Sequence, residues 1–330
     1  PTNTITGVAM DGRIVVIAGG LSPERDVSLR SGRRVAEDLR DAGFQAEVRD
    51  IDATLLADLQ NDPPACAFPI VHGVAGEDGS LQEVLQAINI PFVGSDATSC
   101  RRSFDKAIAG SLVSAAGISI PNAIALPQAM FRDLGAGGLL DAITEKVGLP
   151  LIIKPNRGGS ALGVSVVHDP AELPAAMVGA FAYGDVVLIQ RYIEGTEIAV
   201  GVYDTGDGPV ALPATEIVPD SGLYDYTARY TAGTTEFFTP ARLADHLLEA
   251  AAETAVTAHR VLGLRDWSRS DLVVDADGKV WFLEVNVSPG MTETSLYPQE
   301  VAASDSSIGD LLTALVTRAD RGCVRVTGVE

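Results

Sequence analysis

The sequence is short of cysteine, of aromatic residues and of positive charge. Its 330 residues include only three cysteines, Cys66, Cys100 and Cys323. An odd, sparse and unpatterned set excludes a disulfide framework and a cysteine-based metal cluster; reduced thiols in a cytoplasmic protein are the expectation. Aromatics make up 5% of the chain, while Ala, Val and Gly are plentiful, which suits helices packed closely on sheets. Lys and Arg number 24 against 44 Asp and Glu, a net charge of −20. Such a surface repels a phosphate backbone or an anionic membrane, so neither nucleic acid nor membrane is an expected partner. One local basic pocket for a nucleotide is still allowed. No window approaches eighteen uninterrupted apolar residues, so no membrane span is expected. The opening "PTNTITGVAMDGR" has no apolar run behind a basic start, so no signal peptide is expected either.

What is present is a 46% hydrophobic, 21% charged globular composition in a chain longer than one core usually takes. "RIVVIAGG", then "SLRSGRRVAEDLRDAGF" with apolar spacing at Leu29, Val35 and Leu39, then "QAEVRDI", read as strand, helix, strand: a βαβ unit with a parallel sheet. "ACAFPIVHG" and "PFVG" are expected as a third and a fourth strand, with the helix "GSLQEVLQAINI" between them. "SFDKAIAGSLVSAAGI" reads as one helix stopped at Gly117, and Pro121 to Gly138 shows no clear period. Strands then alternate with glycine loops in "GLPLIIKPNRGGSALGVSVV" and "DVVLIQRYIEGTEIAVGVY", which suggests antiparallel pairing. A long helix is expected from a Thr239 cap and Pro240 to Gly263, and a last helix over "SIGDLLTALVTRA". The fold class is α/β, turning to α+β in the later parts.

The densest chemistry lies in "RSDLVVDADGKVWFLEVN". Asp277-Gly278 between two apolar runs is a hairpin signal. With those two residues as the loop, Asp271 faces Glu284 and Arg269 faces Asn286, and all four share one face. A three-residue loop would shift this register by one. Opposed carboxylates repel unless a cation sits between them, and Asp, Glu and Asn oxygens are the hard ligands Mg²⁺ prefers. Spacing alone leaves two readings open: a metal site, or a solvated hairpin end with a surface Arg–Asp pair.

With these residues in hand, the chain resembles the D-alanine–D-alanine ligases of the ATP-grasp superfamily. The likeness runs from about Arg13 to Ala319 through "AGGLSPERDVSLRSG", "VHGVAGEDGSLQ", "FVGSDATS", "DKAIAGSLVSAAGI", "GLPLIIKPNRGGSALGVS", "YDYTARYTAGTTEF" and the hairpin, in family order. The resemblance implies a three-domain ATP-grasp fold with an N-terminal parallel-sheet domain, with boundaries at 1–103, 104–194 and 195–330. It implies ATP-dependent joining of two D-alanines for peptidoglycan, with ATP and Mg²⁺ as cofactors (two ions, Mn²⁺ as a substitute), in a cytoplasmic homodimer. By the same likeness Asp271, Glu284 and Asn286 are the metal ligands, and Arg269 steadies the transferring phosphoryl group. Lys106, Lys154 and Arg229 meet the nucleotide phosphates. Glu197 meets the ribose, and Gln190 to Ile193 form the adenine hinge. "GGSALG" is the lid over the phosphates. Asp26, His72, Ser160 and Tyr230 hold the first amino acid, and Gly290, Ser295 and Leu296 the second.

Some positions depart from the family pattern. Asp26 stands where Glu is usual, Arg229 where Lys is usual, and Gln190 where Glu is usual in the hinge. Ala161 and Phe104 replace a serine and a methionine. The shifted Asp26 motivates a second reading, a divergent ATP-grasp ligase joining other amino acids in specialised metabolism. A nucleotide-binding module without catalysis is a third, opposed by the intact Arg269, Asp271, Glu284 and Asn286. A dinucleotide oxidoreductase, suggested by "VVIAGG", lacks the third glycine of its fingerprint.

Overall fold

The computed structural model describes residues 12–220, 222, 224, 229 and 233–322. The N-terminal sheet has β1 (Arg13–Ala18) at its centre, with β2 (Gln45–Asp50) and β3 (Cys66–Pro69) parallel on either side. Both faces of β1 are buried, as expected of a parallel strand. Ile14 and Val16 pack on α1 (Arg25–Asp41) and on the chain's last helix, while Val15 and Ile17 pack on α2 (Leu55–Asn61) and α4 (Ser80–Ala87). The short α3 (Val74–Glu77) links β3 to α4.

The fourth strand expected at "PFVG" is a single parallel bridge, Ala67 to Phe92. The chain leaves the sheet there because it is claimed from the other side. Arg265 donates to the Phe92 and Gly94 carbonyls (2.8 Å each), and Gly94 N–H donates to buried Asp266 (2.7 Å).

The expected single helix over Ser103–Gly117 is two, α5 (Ala97–Phe104) and α6 (Lys106–Ala115). Asp105 between them is extended, and its carboxylate caps α6 by accepting from Ile108 N–H (3.1 Å). The break sets Lys106 at the head of α6, where its own N–H donates to the Asn156 carbonyl (3.1 Å). The aperiodic stretch that follows holds β4 (Ala123–Pro127), α7 (Gln128–Leu134) and α8 (Ala136–Val147). A half-exposed edge strand running straight into two helices leaves no single period to read.

The second sheet has order β4-β7-β5-β6, all antiparallel, from β5 (Leu151–Pro155), β6 (Ser165–Val167) and β7 (Val186–Arg191), backed by α8 and α9 (Leu173–Phe181). The third sheet runs β11-β10-β8-β12-β13, with β9 (Val210–Ala211) also on β8. Its members are β8 (Thr196–Tyr203), β10 (Thr215–Pro219), β11 (Thr235–Phe238), β12 (Trp267–Val274) and β13 (Val280–Asn286). The long helix α10 (Asp245–Val261) lies on one face. It starts later than Thr239-Pro240 would place it, because residues 239–244 are tied to β10. Arg242 pairs with Glu216 (2.8 Å), and Ala241 N–H donates to the Ala214 carbonyl (2.7 Å). Helices α11 (Leu296–Ala302) and α12 (Ile308–Gly322) cover the opposite face and return to the N-terminal sheet. Phe68, Trp267 and Tyr297, edge to face at 5.3 and 5.4 Å, join the first and third sheets in one core. Among the described residues no helix is long and apolar enough to cross a membrane.

Two glycines give opposite expectations. A Cβ at Gly76 would lie 1.9 Å from the Val71 carbonyl oxygen, whereas one at Gly138, in α8, meets nothing within 4 Å. Gly76→Ala is expected to destabilise by about 3 kcal/mol, and Gly138→Ala to stabilise by about 0.5 kcal/mol, both read by urea unfolding. Equal effects would contradict the packing at Val71.

Candidate active site

The floor of the site is the β12–β13 hairpin, whose register differs from expectation in two compensating ways. The loop holds three residues, Ala276 to Gly278, because Asp275 N–H donates to the Lys279 carbonyl (3.0 Å) and Gly278 takes a left-handed φ of 80°. Asp275 pins the turn by accepting from Asp277 N–H, Lys279 N–H and the Trp281 indole. Pairing then runs Val274–Val280, Val273–Trp281 and Leu272–Phe282, one residue off the symmetric register. A bulge at Leu283 restores it: Asp271 faces Glu284, and Arg269 faces Asn286. The four side chains therefore share a face.

Opposite this floor stands the second sheet. On β5, Leu151 and Ile153 enter the core while Ile152 and Lys154 line a cavity of about 380 Å³. Lys106, Gln190, Ile193, Glu197, Arg229, Asp271 and Glu284 also line it. The β5–β6 loop closes one side with two non-glycine residues, Ser160 and Ala161, at φ of 52° and 54°. Ser160 Oγ donates to Glu24 Oε1, so the loop reaches across to the start of α1.

Two ion pairs lie in this cleft. The Arg269 fork holds Asp271, Nε to Oδ1 at 2.8 Å and Nη2 to Oδ2 at 3.0 Å. Lys106 Nζ donates to the Gly158 carbonyl (2.7 Å) and lies 3.3 Å from Glu284 Oε2. Burial works against the Glu284 charge, but Lys106, Lys154 and Arg229 outweigh it and hold the group near a pKa of about 2. Burial lowers Lys154 to about 8, against the pull of Glu284, and burial lifts Glu197 to about 7. Burial also disfavours the Arg269 charge, and its Asp271 partner more than restores it. Asn286 Oδ1 accepts from Ser288 N–H (2.8 Å), which fixes the amide.

Among the described residues no three His, Cys, Asp or Glu side chains are grouped so that they could hold a metal ion by themselves. Two carboxylates and an amide fall short of a closed protein cage, but they fit a hard cation that keeps waters and takes phosphate oxygens.

A second cavity of about 140 Å³ adjoins the first and shares Lys106, Arg229 and Glu284 with it. Its wall includes His72, Arg269, Asn286, Gly290, Ser295 and Leu296. Burial lowers His72 to about 4, so the ring is neutral; it bonds the Ser288 backbone, and its Nε2 is buried without a hydrogen-bond partner among the described residues. Ser295 Oγ accepts from Thr292 N–H (3.0 Å), and a Cβ at Gly290 would crowd it at 2.9 Å.

The relatives of the chain agree on one family. The family description D-ala D-ala ligase C-terminus matches residues 112–317, and D-ala D-ala ligase N-terminus matches residues 41–95. The D-alanine–D-alanine ligase of Anaeromyxobacter sp. (strain K) is 38% identical over 307 residues, 93% of this chain and 96% of that protein. That of Geobacter sulfurreducens is 38% identical over 310 residues, 93% and 94% of the two chains. Among solved structures, VanG D-Ala:D-Ser ligase from Enterococcus faecalis superimposes with a TM-score of 0.81 at 30% identity, over 94% of this chain and 100% of that one. D-alanine–D-alanine ligase from Bacillus anthracis complexed with ATP gives 0.76 at 28%, over 94% and 97%.

The chain belongs to the D-alanine–D-alanine ligase family. It is thus an ATP-dependent ligase of the ATP-grasp fold.

One ligase site residue expected from the sequence is misplaced. Asp26 is exposed on the first turn of α1, while Glu24 is 9% exposed, bonds Ser160 and lines the second cavity. Two residues along a helix turn a side chain by about 200°, so Glu24 and Asp26 cannot serve the same pocket. Glu24 is the acid facing Ser160. Tyr230 lies outside the described residues. Arg229 stacks over Tyr224 at 4.3 Å from the ring centre.

Sequence reasoning also missed Glu77, buried beside the second cavity and accepting from Gly73 N–H (2.7 Å). The acid in "GEDGS" was its only signal. Burial, and after it the Glu24 charge, lift Glu77 from 4.5 to about 8. The native state therefore holds an extra proton between those values, and stability falls as pH rises through that window, by up to about 1.4 kcal/mol per pH unit. Glu77→Gln removes the titration. In urea unfolding the variant is expected to gain on the wild type between about pH 5.5 and about pH 8; a constant difference would contradict the buried assignment.

Proposed function

We propose that this ligase joins two D-alanines with the residues of the two adjoining cavities in distinct roles. The γ-phosphoryl group of ATP passes to the carboxylate of the first D-alanine, releasing ADP. The amine of the second attacks the acyl phosphate, loses a proton, and the tetrahedral centre collapses to dipeptide and phosphate. Lys106, Lys154 and Arg229 bind the nucleotide phosphates in the larger cavity, with Glu197 at the ribose and Gln190 to Ile193 at the base. Asp271, Glu284 and Asn286 would hold Mg²⁺, two ions in this reading, which would draw charge from the transferring phosphoryl group. Arg269, in the wall of the smaller cavity, stabilises charge that develops in the transition state. Glu24, Ser160 and neutral His72 orient the first amino acid. Gly290 and Ser295 orient the carboxylate of the second, with Leu296 beside it. The units are proposed to divide near residues 103 and 194, the last helix packing back on the first sheet.

The observation that carries this reading is the restored register at Asp271 and Glu284, which sets Arg269 and three oxygen donors on one face, with Lys154 of β5 and Lys106 of α6 lining the same cavity as the two carboxylates. The reading with another amino-acid pair loses its motive once Glu24, a full-length acid, occupies the pocket.

Phosphate release is expected with ATP, Mg²⁺ and D-alanine alone. Silence there, with turnover on another amino acid from a panel, would overturn the substrate assignment. Arg269→Lys keeps the charge but loses the fork; its kcat is expected to fall about 100-fold or more with KM for ATP nearly unchanged.

A further inference from the structure

Gln190 is the side chain of the larger cavity that the pairing of charges does not explain. It sits near the end of β7, opposite Ile152 of β5 and Ala123 of β4. It is 5% exposed and lines the cavity, and its Oε1 is sealed from solvent with no hydrogen-bond partner among the described residues. Buried polar atoms are nearly always paired, so an amide left short of partners on a cavity wall marks where a ligand can complete it. Ile152, its cross-strand partner, lines the cavity with it, and so do Val273 and Leu283 of the third sheet, apolar surface that suits a flat ring. The cations Lys106, Lys154 and Arg229 line the same cavity. One cavity thus combines cations for phosphates, apolar side chains for a ring and, among the described residues, a single neutral side-chain amide.

We propose that Gln190 reads position 6 of the purine and makes the pocket tolerant of 6-oxopurine nucleoside triphosphates as well as ATP. This rests on the larger cavity being the nucleotide site. A carboxylate here could only accept, and so would select a 6-amino group. An amide carries an acceptor and a donor of nearly the same shape, exchanged by a half-turn of its last bond. Its oxygen accepts from adenine's amino group, or its NH₂ donates to a 6-oxo group, and neither purine leaves it unpaired.

Inosine triphosphate is the probe, because it differs from ATP only in the 6-substituent and in the proton on N1. Equilibrium titrations with Mg²⁺ at about pH 8.5, so that an introduced acid is charged, compare wild type, Gln190→Glu and Gln190→Leu. Wild type is expected to bind inosine triphosphate within about thirtyfold of ATP. Gln190→Glu is expected to widen that ratio by about tenfold or more, and Gln190→Leu to weaken both nucleotides several-fold. An unchanged ratio in Gln190→Glu, unchanged affinities in Gln190→Leu, or a wild-type ratio beyond thirtyfold would overturn the proposal. Turnover with D-alanine is followed in parallel. Flat selectivity with turnover intact counts against Gln190 alone; missing turnover with selectivity intact counts against the ligase reading alone.

Discussion

Two carboxylates, Asp271 and Glu284, face each other across neighbouring antiparallel strands, and the rest of the site is arranged around keeping them there. Left alone, such a pair destabilises its sheet. Arg269 grips Asp271 from two residues away on the same strand, and Lys106 reaches Glu284 from the head of α6. The second contact ties the hairpin to α6, whose Ala109 and Val113 share the core of the third sheet. Breaking α6 from α5 at Asp105 is what puts Lys106 within reach.

The same cleft shows how burial and pairing compete. Lys154, Glu197 and Glu77 are displaced toward their neutral forms by burial, whereas Glu284 is held charged because three cations surround it. Glu300 extends the pattern. It is fully buried, accepts from Gly201 N–H (2.6 Å), and occupies space that a side chain at Gly201, the cross-strand neighbour of Arg269, would fill. Burial lifts it to about 8. The site is a graded set of charges in which a nucleotide and its cation would complete partnerships that protein groups now supply to one another.

Much of this was legible in the sequence where chemistry and strand periodicity coincide. The β12–β13 face could be read because alternation fixes which residues share a side, yet the reading reached the right partners through two departures, a three-residue loop and a bulge at Leu283, that cancel. Nothing local announces a bulge; it follows from how β13 must meet both β12 and the cavity. Glu24 was missed because "ERD" offers two acids two residues apart, and only the actual phase of α1 tells them apart. Asp105 looked like a helical residue until its side chain was seen capping the next helix. Residues 239–244 looked helical because their contacts to β10 are long-range. In each case the missing information was tertiary.

The central claim is that Asp271 and Glu284 are committed to protein cations until a nucleotide arrives. Electron paramagnetic resonance of Mn²⁺, titrated onto the protein with and without ATP, tests it directly. Weak binding to the free protein and tight binding once ATP is present is the predicted result. Equally tight binding without nucleotide, or none with it, would contradict the account.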